Sequence, residues 1–452
     1  MSTQVPESVS LREALRYWLK LGFVSFGGPA GQISMMHQEL VERRRWISER
    51  RFLHALNYCM VLPGPEAQQL ATYIGWLMHG APGGIIAGAL FVLPSLFILV
   101  ALTWIYMAFG DVPAVAGILY GIKPAVTAIV GFAAYRIGSR ALNNAALWVL
   151  AACAFVAIFV FDVPFPMIVL AAGLIGMLGG RIAPDRFRSG GHSGNSARDY
   201  GPALIDDHMP TPEHARFQWA RIIRFALIGL AIWAGVEGML YAVYGWQGVL
   251  TQMGWFFTKA ALLTFGGAYA VLPYVYQGGV EHYGWLTGPQ MIDGLALGET
   301  TPGPLIMVVA FVGFIGAWSH SVFGPEQLAL AGAAGATVAT VFTFLPSFVF
   351  ILVGAPLVEA TRHDLKFTAP LTAVTAAVVG VIINLAVFFA WHVLWPQASS
   401  AMPFAGRFEW FAVILGVLAF AALWRYKVGV IPVILACGAL GLVFSLIGHS
   451  ML

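Results

Sequence analysis

The chain has 452 residues, 59% hydrophobic and 10% charged, with a net charge of +3 and a mean hydropathy of +0.79. A water-soluble domain carries roughly 25% charged residues, so most of this chain cannot face water. HExxH, GxSxG and GxxxxGK[ST] are absent, which leaves soluble catalysis and ATP hydrolysis without a motif.

In chain order, Met1 to Ser10 is polar and lacks an apolar stretch ending in a small-residue cleavage site, so no cleaved signal peptide is expected. Residues 11–41 are apolar, carry Lys20, and contain Ser25-Phe26-Gly27-Gly28-Pro29. A loop with Arg43, Arg44, Arg45, Arg50 and Arg51 follows. Residues 52–79 contain Pro63-Gly64-Pro65, then Glu66-Ala67-Gln68-Gln69. Further apolar segments, one carrying Lys123, run to about residue 180, each near the length of about 20 residues that crosses a bilayer. Trp104, Tyr106, Trp246, Trp391 and Trp395 sit near segment ends, as an interfacial belt requires.

Residues 181–221 are polar and read as a solvated, flexible cytoplasmic linker; His192, His208 and His214 are too irregularly spaced for a metal site. Residues 222–248 form one connecting segment with no counterpart, and residues 249–452 repeat residues 1–180. Lys20 and Lys259, Ser25-Phe26-Gly27-Gly28 and Thr264-Phe265-Gly266-Gly267, Ser48 and Thr287, and Pro63-Gly64-Pro65 and Pro302-Gly303-Pro304 share one offset of 239. After a small insertion, Leu93-Pro94-Ser95 matches Leu345-Pro346-Ser347. Cys59, Cys153 and Cys437 lie in apolar stretches and read as packing residues, with no disulfide and no metal. Gly84/Gly88, Gly117/Gly121 and Gly294/Gly298 read as close helix packing.

The expected fold is an all-α polytopic membrane protein of about 13 apolar segments, six per half and one between. The single unpaired crossing turns the second repeat upside down. Arg136, Arg140, Arg181 to Arg188, Arg362, Lys366, Arg425 and Lys427 then share one face; Asp111, Asp162 and the Glu281 region share the other. Arg43 to Arg51 fit only if residues 11–41 and 52–79 each enter and return on the same side. The FGG and PGP motifs then become turns of re-entrant or broken helices.

Of five lysines, Lys20, Lys123 and Lys259 sit in apolar surroundings, where a charge costs at least ~2.5 kcal/mol. They mark an ion pathway, unless Lys20 and Lys259 snorkel to the headgroups. A proline-started helix after PGP presents free N–H groups to an anion, and the glycines let backbone approach a ligand. The expected substrate-binding residues are Lys20, Ser25, Gly27, Gly28, Gly64, Gln68, Gln69, Lys123, Lys259, Thr264, Gly266, Gly267 and Gly303. Gln68, Gln69 and Asn57 are candidate donors to an oxyanion. Among the acidic groups in apolar runs (Glu66, Glu237, Asp293, Glu299), Glu66 and Glu299 are the candidates for proton coupling; His54 occupies the position matching Asp293. No catalytic residue, metal ligand or cofactor is expected.

SFGGPAGQI at Ser25 to Ile33, RRWISERRFLHALNYCMVLPGPEAQQLATYIGW at Arg44 to Trp76, TFGGAYAVLPYV at Thr264 to Val275 and ETTPGPLIMVVAFVGF at Glu299 to Phe314 resemble the long-chain chromate transporter family. The resemblance covers nearly the whole chain outside the linker. It implies chromate efflux from the bacterial cytoplasm across the inner membrane, driven by membrane energy, with sulfate as a competing analogue. Many members have Ala-His after FGGP, where this chain has Ala30-Gly31-Gln32, so no role of that histidine carries over. The expected partners are a chromate- or sulfate-like oxyanion and the lipid bilayer, with no nucleic acid; a homodimer is left open. The competing readings are sulfate uptake or exchange, a passive anion channel, and a polytopic membrane enzyme.

Overall fold

Two repeated N-caps start the corresponding helices of the two halves. The computed structural model describes residues 8–26, 28–110, 112–187, 200–206, 212–265, 267–360, 368–398 and 402–450. Gly27, Asp111, Arg188, His192, His208, Gly266, Arg362 and Lys366 lie outside the described residues. The Ser48 hydroxyl accepts the Arg51 N–H at the start of α3 (Glu49–Val61). The Thr287 hydroxyl does the same for Gln290 at the start of α12 (Gly288–Thr300). Such caps satisfy N–H groups that the helix cannot pair itself, which gives the Ser48/Thr287 match its physical reason.

The first half opens with α1 (Leu11–Val24), then α2 (Gly28–His37), which continues into a π-helical turn, Gln38–Arg43. These run antiparallel: Arg44 pairs with Glu13 at 3.1 Å, and the Tyr17 and Trp46 rings lie 5.3 Å apart. After α3 comes α4 (Glu66–Phe109), which is two helical arms, 66–78 and 81–109, broken at His79 and Gly80. The Tyr58 and Tyr73 rings lie 6.2 Å apart, so α3 and the first arm of α4 also form a hairpin. Its tip is the PGP turn, and the FGG segment is the tip of the hairpin before it. Both hairpins open toward the side of Arg44, as the arginine loop predicts. From there the second arm of α4, α5 (Pro113–Ala141), α6 (Ala145–Phe161) and α7 (Phe165–Ile182) run back and forth, ending in the short α8 (Pro184–Phe187).

The polar segment after α8 is partly pinned, where the sequence reading expected a flexible linker. Leu204 and Ile205 donate to the Arg45 and Trp46 carbonyls at 2.9 and 3.0 Å, and Ser48 donates to the Ile205 carbonyl at 3.0 Å. His214 bonds the Trp76 carbonyl at 2.9 Å, so this histidine tethers the segment. Next, α9 (Trp219–Tyr244) is the unpaired crossing; only Gly229, Glu237 and Leu240 on it are buried, so most of its apolar surface faces outward.

The second half repeats the plan. α10 (Val249–Leu262) turns at Phe265 into α11 (Ala268–Tyr276) and a second π-helical turn, Gln277–His282. The two π-helical turns stand at the same offset as the motifs. α12 turns at Gly303 into α13 (Val308–Ser319), with Gly294 packed on the Phe311 ring. α14 (Leu328–Ala360), α15 (Thr368–Leu394), α16 (Trp410–Trp424) and α17 (Val430–Ser450) complete it.

Among the described residues, seven helices are long and apolar enough to cross a membrane. With the shorter apolar helices α6 (17 residues) and α16 (15 residues) they make nine candidate crossings, four in each half and α9 between. With the four hairpins this is the expected all-α polytopic membrane protein.

The halves are interlocked. α5 packs on α16 and α17, while α15 packs on α6 and α7, so each half's last helices cover the other half. Glycines allow the closest approaches. Gly117 and Gly121 meet Ser445 and the Cys437 carbonyl of α17, Gly380 meets the Ala151 carbonyl, and Gly84 meets the Thr72 carbonyl. Without a hydrophobic drive between helices in lipid, such close backbone packing supplies the association. Cys59 and Cys437 are buried; Cys153 is exposed.

Candidate functional site

The four hairpin tips meet in pairs, each pair joining opposite halves. The Gly64 N–H donates to the Thr264 carbonyl at 2.7 Å, and the Gly303 N–H donates to the Ser25 carbonyl at 2.8 Å. Gly64 and Gly303 occupy matching positions, as do Ser25 and Thr264, so the two bonds are the same contact made twice around a pseudo-twofold axis. Gly64 (φ +126°) and Gly303 (φ +111°) adopt a backbone that favours glycine. A Cβ on Gly303 would lie 2.7 Å from the Ser95 Cβ, and one on Gly64 would lie 2.6 Å from Gln69 Nε2. Gly28 (φ +71°) and Gly267 (φ +96°) need glycine for their backbone alone: a Cβ on either would have open space around it.

The lining is polar and incompletely paired. Gln32 Nε2 donates to the Gly303 carbonyl at 2.5 Å and the Ser25 carbonyl at 3.3 Å, tying the two tips together. Gln69 Nε2 donates to the Pro63 carbonyl at 2.7 Å and to Ser347 Oγ at 3.4 Å. Gln68 Nε2 donates to Thr72 Oγ1 at 3.0 Å. Among the described residues, the Ser25 and Ser95 hydroxyls and the Oε1 atoms of Gln32, Gln68 and Gln69 are buried with no partner in the protein. Buried polar groups are normally satisfied, so five unsatisfied ones around one set of turns make this the candidate place for a polar ligand. The first turn of α4 starts here, with Pro65 as N-cap and no side-chain cap. Its unpaired N–H groups and the positive dipole end favour an anion.

The structure sorts the residues expected from sequence. Ser25, Gly28, Gly64, Gln68, Gln69, Thr264, Gly267 and Gly303 belong to the four tips or the turn beside them. Gly27 and Gly266 fall outside the described residues. Gln69, expected as a donor, has both amide N–H groups engaged, Gln68 has one of its two engaged, and Asn57 is exposed on α3; the Ser25 and Ser95 hydroxyls are buried side-chain donors with no partner among the described residues. Thr264 donates its hydroxyl to the Ala260 carbonyl at 2.6 Å, so it serves the tips through its backbone. The membrane lysines do not converge there. Lys20 is exposed on α1, off the buried stripe of Ala14, Tyr17, Trp18 and Leu21. Lys259 stands over the exposed Trp255 ring, 5.9 Å from its centroid. Lys123 pairs with the buried Asp293 at 3.6 Å.

The two proton-coupling candidates differ. Glu299 accepts a hydrogen bond from Tyr269, whereas no hydrogen bond or ion pair engages Glu66 among the described residues. Tyr106, expected in an interfacial belt, instead donates to Asp293 at 3.0 Å.

Sequence reasoning missed Gln32, Ser95 and Ser347. Ser95 and Ser347 carried a signal, because they close the Leu-Pro-Ser match between the halves, and Gln32 lies inside the SFGGPAGQI stretch.

The family model described as "Chromate transporter" matches residues 12–177 and 251–442, one block for each repeat. The chain is 33% identical to a chromate transport protein of Pseudomonas aeruginosa, over 97% of this chain and 93% of the relative. It is 29% identical to a chromate transport protein of Cupriavidus metallidurans, over 86% of this chain and 85% of the relative. A probable chromate transport protein of Synechococcus elongatus is 28% identical, over 93% and 92%. No solved structure matches the chain.

Proposed function

The chain belongs to the chromate transporter family, and on that premise we propose that it exports chromate, or a related tetrahedral oxyanion, through the site built by the four hairpin tips. The single observation that carries this reading is the reciprocal pair of bonds, Gly64 to Thr264 and Gly303 to Ser25, set among buried unpaired hydroxyls at the start of α4. A tetrahedral oxyanion accepts hydrogen bonds in several directions, and the Ser25 and Ser95 hydroxyls and the α4 N–H groups donate. The carboxamide oxygens of Gln32, Gln68 and Gln69 accept, so they suit an anion that keeps part of its hydration shell.

Export follows from the charge on the substrate. The arginine-rich loops support a reading in which the Arg44 side faces the cytoplasm of a bacterial inner membrane. An inside-negative potential contributes about 2.3 kcal/mol per charge per 100 mV toward moving an anion out. Glu66, beside the α4 N-terminus and free of partners, is the proton-coupling residue we favour over Glu299. Its carboxylate would repel an arriving anion, and protonation removes that repulsion.

Transport of radiolabelled chromate and sulfate into everted vesicles, with and without a proton gradient, tests the reading. Saturable chromate accumulation that responds to the gradient supports it, and accumulation of neither anion refutes it. Flux that follows only the anion's own gradient, with no proton dependence, would make the protein a channel.

A further inference from the structure

Two ion pairs flank the four-tip site, and the proposal concerns what they do. On the Arg44 side, Arg51 of α3 lies 3.8 Å from Glu359 near the end of α14, and the Tyr73 hydroxyl donates to the same carboxylate at 2.5 Å. On the opposite side, Asp293 of α12 lies 3.6 Å from Lys123 of α5 and accepts from Tyr106 near the end of α4 at 3.0 Å. Arg51, Glu359 and Asp293 are all buried.

The two clusters join corresponding elements. α3 and α12 match at the offset of 239, which puts Arg51 opposite Gln290, one helical turn from Asp293. The long arms of α4 and α14 match through Ser95 and Ser347, which puts Glu359 opposite Met107, next to Tyr106. Each cluster therefore fastens the first arm of one half's PGP hairpin to the long helix of the other half, and a tyrosine shares the carboxylate in both. At 1.5 Å per residue, Arg51 stands about 20 Å from Gly64 along its hairpin, and Asp293 about 15 Å from Gly303. One cluster thus closes the site toward the Arg44 side and the other toward the opposite side. The residues differ while the placement does not, so duplication of the backbone alone does not account for an ion pair at both levels.

We propose that Arg51–Glu359 and Lys123–Asp293 are the two gates of the transport cycle, each sealing the four-tip site from one side of the membrane. This rests on the reading that the site lies on the transport route, but not on which anion uses it. A buried ion pair is weak as net stabilisation, yet losing one partner leaves an uncompensated charge and is strongly unfavourable. That makes such a pair suited to a contact that is either fully made or opened to water. Opening one gate frees a single hairpin arm, while the tip bonds of the other hairpin stay in place.

The test uses the full chain with Cys59, Cys153 and Cys437 replaced by alanine and one reporter, Ser95→Cys. It is labelled with a membrane-impermeant thiol reagent in right-side-out and everted vesicles, without chromate, which oxidises thiols. Glu359→Gln should raise labelling from the Arg44 side only, and Asp293→Asn from the opposite side only. The expected rise is about tenfold, the shift that about 1.4 kcal/mol gives. The charge exchange of Lys123→Asp with Asp293→Lys should return labelling toward the parent level, which a merely destabilised chain would not do. Ser347→Cys serves as the reporter if Ser95→Cys fails to fold. Unchanged labelling in both variants, or a rise from both sides in either, overturns the proposal. Because no anion is present, loss of chromate transport in the vesicle experiment would not mimic that result.

Discussion

The two repeats match in backbone and differ in lining. Both have π-helical turns at corresponding places, glycines at positive φ in all the described tip positions, and a serine from Leu-Pro-Ser packed near the opposing PGP glycine. Around that shared frame the first repeat places Gln32, Glu66, Gln68 and Gln69, where the second places Val271, Leu305, Met307 and Val308, all four buried. The frame requires both halves, since each PGP glycine N–H bonds a backbone carbonyl of the other half. The polar chemistry does not, and it has settled in one half. On the proposed function, the duplicated fold supplies a symmetric scaffold, and the groups that hold the anion need only be built once.

The most disruptive test of that comparison strikes the shared frame. Gly64→Ala and Gly303→Ala each place a side chain at positive φ against a close neighbour, and should each cost about 2–3 kcal/mol. Chromate transport should disappear in both, with a lowered melting temperature in detergent. If one variant stayed fully active, the equivalence of the two tip bonds would fail. Next in size is Glu66→Gln, which should remove the response of transport to a proton gradient while leaving exchange down the anion gradient; Glu299→Gln should leave that response intact. A smaller effect separates the two serines. Ser95→Ala should raise the chromate KM about fivefold, in line with roughly 1 kcal/mol for one hydrogen bond. Ser347→Ala should raise it less, because the Ser347 oxygen is already approached by Gln69. The smallest effects belong to Lys20→Ala and Lys259→Ala. Neither lysine faces the tips, so each should change initial rates by less than about twofold.

Much of the frame was legible before any coordinates. The offset of 239 fixed the duplication, and the arginine loop forced the FGG and PGP segments to turn back, which the Glu13–Arg44 and Tyr58–Tyr73 contacts bear out. The pairing across halves was not legible, because nothing in a linear repeat says which tip meets which. The lysines show a second limit. A charge in an apolar run can point to the core or to lipid, and only the helical stripe of Ala14, Tyr17, Trp18 and Leu21 shows that Lys20 falls off the packed face. The carboxamides show a third. Gln68 and Gln69 have both donors and acceptors, and which end is free depends on partners such as Pro63 and Ser347. Tyr106 looked interfacial by position, yet its hydroxyl serves a carboxylate from the other half.

The most direct test of the four-tip site is the KM for radiolabelled chromate in everted vesicles, comparing the parent chain with the Ser25→Ala/Ser95→Ala double variant at matched expression. Loss of the two free hydroxyl donors should raise KM by at least about tenfold, since each hydrogen bond contributes roughly 1 kcal/mol. An unchanged KM with an unchanged maximal rate would contradict the account and move the anion site away from the tips.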